Sequence, residues 1–156
     1  MHRSIAHALN PDAVHSPRGT ILVVDDEPAV CHVTGTMLEL HGFAVLYAEN
    51  GEQALRVVSE HQGPIHLMVA DIVMPKISGP QLAQQLRVGQ PNLPVLFVSG
   101  LVSYGNFQGV MGGWMLRKPY TPTMLVSKVW EVLAASAQSR PVISSRSPHA
   151  TFRIDP

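Results

Sequence analysis

This sequence predicts an α/β fold, with a parallel sheet covered by helices on both faces. Three observations carry the prediction. Short apolar runs of strand length recur along the chain, at residues 20–24, 43–47, 65–70, 94–98 and 114–117. Segments with apolar residues at helical spacing alternate with them, the pattern of a parallel sheet with right-handed crossovers. Several runs also end in a polar group: Ile21–Val24 in Asp25, Asp26 and Glu27, Leu67–Ala70 in Asp71, Pro94–Val98 in Ser99, and Trp114–Arg117 in Lys118. Buried parallel strands read as continuous apolar stretches, and open α/β sheets bind their ligands beyond the carboxyl ends of the strands. Three acids, a hydroxyl and an ammonium are therefore expected along one edge.

Residues 1–18, with Asn10-Pro11, Ser16-Pro17 and scattered histidines, show no periodicity and read as a flexible leader. After the strand Thr20–Val24 comes the acidic turn, then Pro28, which suits the first turn of a helix. Val30, Val33, Met37 and Leu40 are spaced as one helical face, and His41-Gly42 supplies a stop. Phe43–Tyr47 makes a second strand. Asn50 stands three residues before Gln53, a capping spacing, with Ala54, Leu55 and Val58 as the buried side of the helix that follows. Gly63-Pro64 ends that helix, and Ile65–Ala70 is the central strand. Pro80 opens a third helix carrying Leu82 and Leu86.

Pro91 and Pro94 bracket the entry to the fourth strand. Glycines at 100, 105, 109, 112 and 113 oppose a stable helix there, although Val102, Tyr104, Phe107 and Val110 are spaced to line a short one. Thr121-Pro122 is a cap followed by a first-turn proline, and Leu125, Val129, Val132 and Leu133 form the core face of the last helix. From about Ser136 the chain turns Ser/Pro/Arg-rich and reads as a disordered tail over residues 137–156. The expected domain spans residues 19–136.

Length and charge narrow the functional classes. A chain of 156 residues allows one domain with its own core. The zero formal net charge and the lack of a helix-turn-helix argue against direct nucleic-acid binding. The single cysteine, Cys31, cannot form an internal disulfide and reads as a small buried side chain. No signal peptide or bilayer-length apolar run is visible, so a cytoplasmic location without membrane contact is expected. The eight histidines have no metal-ligand spacing.

The combination of Val24-Asp25-Asp26-Glu27-Pro28, Asp71-Ile72-Val73-Met74-Pro75 with Gly79, Val98-Ser99-Gly100 and Lys118-Pro119-Tyr120 resembles the receiver domain of two-component response regulators. Each element has an ordinary structural reading alone: the Asp pair as a helix cap, Ser99 as a turn residue, Lys118 as a solvated strand end. Their convergence, each at the end of its own strand, makes the match specific. The resemblance covers roughly residues 19–136 and implies a flavodoxin-like sheet of order 2-1-3-4-5. It implies Asp71 as phosphoacceptor, Asp26 as a direct metal ligand, Asp25 as holder of a metal-bound water, and the Val73 carbonyl as a further ligand of Mg²⁺ or Mn²⁺. Lys118 would pair with a phosphoryl oxygen, and Ser99, kept open by Gly100, would donate to the attached phosphoryl group.

The chemistry agrees with that implication. A carboxylate can be a nucleophile toward phosphorus, and a hard divalent cation offsets its repulsion of an anionic donor. The implied partners are a histidine kinase or histidine phosphotransfer protein, and a downstream protein. The expected activity is self-catalysed phosphotransfer in a stand-alone signalling module, not metabolite turnover. The Arg117–Pro122 segment also looks like receivers fused to hybrid histidine kinases.

Departures from the family are specific. Met115 stands where the family usually has an aromatic that swings inward, and Trp114, one residue earlier, points to the other face of an alternating strand. Val73 and Leu101 are apolar at the two positions that influence the water hydrolysing the aspartyl phosphate, so slow self-hydrolysis is expected. Two rivals stand beside this reading. One is a receiver-like binding module that keeps the fold and no longer switches. The other is an aspartyl-phosphate phosphatase, a class resembling an Asp-x-Asp pattern at the first strand that this chain does not carry.

Overall fold

The structure, a computed structural model, describes residues 17–100 and 112–138. Five strands, β1 (Thr20–Val24), β2 (Ala44–Ala48), β3 (Leu67–Asp71), β4 (Val95–Ser99) and β5 (Trp114–Arg117), form one sheet of order β2-β1-β3-β4-β5. Every neighbouring pair is parallel. The described helices are α1 (Pro28–Glu39), α2 (Gly51–Glu60), α3 (Gly79–Gly89) and α4 (Pro122–Gln138). This is the flavodoxin-like α/β architecture that the alternating pattern and the resemblance imply. The expected short helix within 100–113 falls almost wholly outside the described residues, as do Leu101 and most of the leader and tail. Helix α4 runs to Gln138, past the boundary expected near Ser136.

Alternation along the strands sorts the core into two layers. Leu22, Met68, Ala70, Val95 and Phe97 face α2 and α3 and pack with Ala54, Leu82 and Leu86. Ile21, Val23, Leu67, Val69, Leu96 and Val98 face α1 and α4 and pack with Leu38, Leu125 and Val129. Both faces of the three central strands are thus buried, which is why their sequences are apolar without a break. Cys31 belongs to the second layer, 2% exposed.

Local chemistry sets the helix starts. Asn50 Oδ1 accepts from Gln53 N at 2.8 Å, and Ser78 and Gln81 form a reciprocal capping box ahead of Pro80. Thr121 Oγ1 accepts from Met124 N at 3.2 Å at the head of α4. Helix α1 corrects the sequence reading. Its covered face is Cys31, Thr34, Gly35 and Leu38, while Val33 and Leu40 are 51% and 80% exposed. Both stripes have helical spacing, and only the packing of α1 between β2 and α4 selects the one that is buried.

Candidate functional site

The carboxyl ends of β1, β3 and β5 bring their polar residues together. Asp25 follows β1 and is 5% exposed; its Oδ1 accepts from Glu27 N at 3.0 Å, folding the acidic turn onto the start of α1. Asp71 ends β3. Its Oδ1 accepts from Val73 N at 3.2 Å, so the loop after the strand turns back over the carboxylate. Lys118 follows β5, and its Nζ donates to Asp25 Oδ2 at 2.9 Å and to Asp71 Oδ2 at 3.0 Å. The three residues are held by segments 47 and 93 positions apart in sequence.

Burial of the ammonium alone would lower the pKa of Lys118. The hydrogen bonds and charges of the two carboxylates outweigh that and push it up to about 12. Lys118 therefore stays a cation throughout the physiological range. One ammonium balances only part of the negative charge, because Asp26 joins the same cluster. Carboxylate oxygens of Asp25, Asp26 and Asp71 lie within 4.8 Å of one another. Convergent carboxylates are the donor set that a hard divalent cation such as Mg²⁺ takes, with waters filling its remaining positions. The exposed Asp26 leaves one side of the cluster open to solvent. The residues therefore fit a divalent metal.

The other predicted residues take distinct places. Ser99 ends β4 at 2% exposure, and its carbonyl accepts from Lys118 N at 2.9 Å, which fixes the main chain of the lysine. Gly100 beside it is exposed. Val73 is 56% exposed at the rim of the Asp71 loop. Met115 packs into the layer under α2 and α3, and Trp114 into the layer under α1 and α4, the opposite faces that strand alternation requires. The Trp114 ring carries Lys128 Nζ 5.4 Å from its centroid.

Several features around the site were not legible as such. Gly79 packs directly on the Asp71 main chain: a Cβ there would lie 2.2 Å from the Asp71 carbonyl oxygen. Lys76 in the same loop has φ of 65° and an exposed ion pair with Glu52 at 3.4 Å. The Tyr120 hydroxyl meets Thr34 Oγ1 at 2.8 Å, joining the segment after Lys118 to α1. Beside that contact lies an apolar groove of about 560 Å³, lined by Ala29, Val30, Val33, Met37, Pro119 and Tyr120. The Lys118–Pro119 peptide bond is cis. A Gly after the Met-Pro pair and a Tyr after Lys-Pro were visible as motif letters, but their contacts were not.

Comparison with known proteins agrees with the geometry. Residues 21–129 match the family described as response regulator receiver domain. The sensor kinase CckA of Brucella abortus (strain 2308) is 33% identical over 121 residues, which are 76% of this chain and 13% of that protein. The transcriptional regulatory protein GlrR of Escherichia coli (strain K12) is 30% identical over 147 residues, 86% of this chain and 31% of that one. The chain thus spans less than a third of either relative. Among solved structures, the receiver domain from the hybrid histidine kinase CckA is 36% identical with a TM-score of 0.63, covering 74% of this chain and 99% of that domain. A response regulator receiver domain protein of Methanospirillum hungatei JF-1 is 26% identical with a TM-score of 0.69, covering 78% and 98%. Among the described residues no helix is long and apolar enough to cross a membrane. With the three strand ends converging on Asp71 and most of the chain matched, this protein belongs to the response regulator receiver domain family, the signalling modules of two-component systems.

Proposed function

We propose that Asp71 accepts a phosphoryl group from a phosphohistidine of a histidine kinase or phosphotransfer protein, and that the chain signals by altered protein binding or by passing the group on. The observation that carries this reading is the pair of hydrogen bonds from Lys118 Nζ to Asp25 and Asp71, which joins the lysine and two of the three clustered acids in one site. In the reaction an Asp71 carboxylate oxygen forms the new P–O bond as the donor's P–N bond breaks. The donor nitrogen keeps the bonding pair. Lys118 releases its hold on Asp71 and pairs with a phosphoryl oxygen, supplying positive charge where the group in flight is most negative. Mg²⁺ or Mn²⁺, held by Asp26, Asp71 and the Val73 carbonyl with Asp25 holding a metal-bound water, would supply the remaining positive charge that lets an anionic donor approach a carboxylate.

Ser99 at the end of β4, 2% exposed, donates to the phosphoryl group after attachment, its hydroxyl turning toward that group. That movement, at the end of β4, is a local change that an added charge can bias. The apolar groove between α1 and Pro119-Tyr120 opens next to Lys118, on the side from which a phosphodonor protein would approach. The unit that switches is the expected domain, residues 19–136, with α4 continuing to Gln138.

Intact-mass spectrometry after incubation with acetyl phosphate tests the proposal, with and without Mg²⁺, on the wild type and Asp71→Asn. One added phosphoryl group requiring both Mg²⁺ and Asp71 is expected. An adduct that persists in Asp71→Asn would refute the assignment. A chain that takes no phosphoryl group from small donors or from a phosphorylated kinase, and binds no Mg²⁺, would establish the non-switching module instead.

A further inference from the structure

We propose that Thr34 and Tyr120 are a positioning pair for Lys118, their mutual hydrogen bond holding the lysine-bearing loop in register with the acidic turn. The inference rests on the reading of the Asp71 site given above. The site's charges come from segments far apart in the chain. Asp25 and Asp26 immediately precede α1, and Lys118 opens the loop between β5 and α4. A lysine side chain is long and has many rotamers, so placing its ammonium 2.9 and 3.0 Å from two carboxylates depends on where its main chain is fixed.

Three ties fix that loop, each to a different element. Lys118 N donates to Ser99 O at 2.9 Å, which anchors the loop to β4. Thr121 Oγ1 accepts from Met124 N at 3.2 Å, which anchors it to α4. The Tyr120 hydroxyl and Thr34 Oγ1, 2.8 Å apart, anchor it to α1. This third tie joins the helix that begins at the acidic turn to the loop that begins at the lysine. Thr34 is 3% exposed and sits on the covered face of α1, at the wall of the groove that Tyr120 also lines. The Tyr120 ring packs against the core layer shared by α1 and α4, so a phenylalanine would fill the same space. What the hydroxyl adds is direction. It sets where along α1 the loop sits, and with it the reach of Lys118 to Asp25 and Asp71.

The test compares Tyr120→Phe, Thr34→Val and Thr34→Ser in the full chain, each with Lys118 intact and with Lys118→Ala. Phosphoryl uptake from acetyl phosphate at saturating Mg²⁺ is followed by intact mass against donor concentration. The Lys118 ammonium resonance is recorded alongside by ¹H–¹⁵N spectroscopy. Misplacement of a reacting group by 1 Å can cost on the order of 100-fold, so a shift of a few tenths of that should slow maximal uptake by about threefold to tenfold in Tyr120→Phe and Thr34→Val. Half-saturation by donor should be unchanged, Thr34→Ser should restore the rate, and the ammonium resonance should broaden in the two slow variants. With Lys118→Ala the substitutions should have no further effect, because the pair acts through the lysine. Equal slowing with and without Lys118 would overturn the inference and leave the bond a fold-holding contact. Undiminished uptake with an unchanged resonance would also overturn it. A wild type that takes no phosphoryl group while Lys118 still meets both acids would instead refute the reading of the site on which the inference stands.

Discussion

Replacing Gly79 by alanine should both destabilise the protein and slow phosphoryl uptake. Gly79 is the first residue of α3, and its N–H donates to the Ile72 carbonyl at 3.0 Å. An alanine Cβ would lie 2.2 Å from the Asp71 carbonyl oxygen, 3.1 Å from the Asp71 carbonyl carbon and 3.3 Å from Ile72 Cα. Ordinary contact begins near 3.4 Å, so the first of these is short by roughly 1.2 Å. All three atoms are main chain, so no rotamer change relieves the clash. Either the start of α3 or the end of β3 must move.

Overpacking of this kind costs about 1–3 kcal/mol, and the helix preference of alanine over glycine returns at most about 1 kcal/mol. The net loss, up to about 3 kcal/mol, corresponds to a fall in Tm of roughly 2–4 °C for each kcal/mol in a chain of this size. The clashing atoms belong to Asp71 and Ile72, so where the end of β3 gives way uptake should fall by more than stability alone accounts for, up to about 100-fold for a 1 Å shift. Gly89, at the far end of the same helix, is the control. Nothing lies within 4 Å of a Cβ built there, and Gly89→Ala should be neutral or stabilising by up to about 1 kcal/mol. Urea unfolding gives the stabilities and intact-mass kinetics give the uptake. A Gly79→Ala protein that unfolds with the wild-type midpoint and takes phosphoryl at the wild-type rate would refute the reasoning.

Three further outcomes follow from the same contacts. Stability should fall as pH rises through the alkaline range to about 12. Burial raises the Tyr120 phenol, and the paired carboxylates raise Lys118 to about 12, so each group loses its proton in the unfolded chain first. The lysine's share is at most about 2 kcal/mol, present below its unfolded pKa and gone above pH 12, and a stability that rises over this window in urea titrations would contradict it. The Cys31 thiol, raised by burial and contacting the Val23 and Ala48 carbonyls at 3.7 and 3.5 Å, should resist thiol reagents in the native protein and react at once in denaturant; rapid labelling of the folded chain would show that α1 is not sealed against β1 and β2 there. The aspartyl phosphate should decay slowly, because the exposed Val73 cannot orient an attacking water by hydrogen bonding, and Val73→Asn should shorten its lifetime; fast decay of the purified wild-type phosphoprotein would sink this account.

Much of this protein was legible in the sequence because parallel sheets write themselves plainly. A strand buried on both faces has no polar position to spare, so the apolar runs at 21–24, 67–70 and 95–98 mark the three central strands and Asp25, Asp71 and Ser99 mark their carboxyl ends. Capping pairs such as Asn50 with Gln53 and Ser78 with Gln81 act over three residues, so spacing alone can reveal them. What the sequence could not decide depends on residues far apart in the chain. Two apolar stripes on α1 had equal helical spacing, and the choice of Cys31, Thr34 and Leu38 over Val33 and Leu40 came from neighbours in β2 and α4. The approach of Gly79 to the Asp71 carbonyl, the reach of Lys118 to both Asp25 and Asp71, and the meeting of Thr34 with Tyr120 are likewise set by how helices seat on the sheet. Local propensity fixes the elements and which of their ends carry charge, whereas the distances between those charges exist only once the layers have packed.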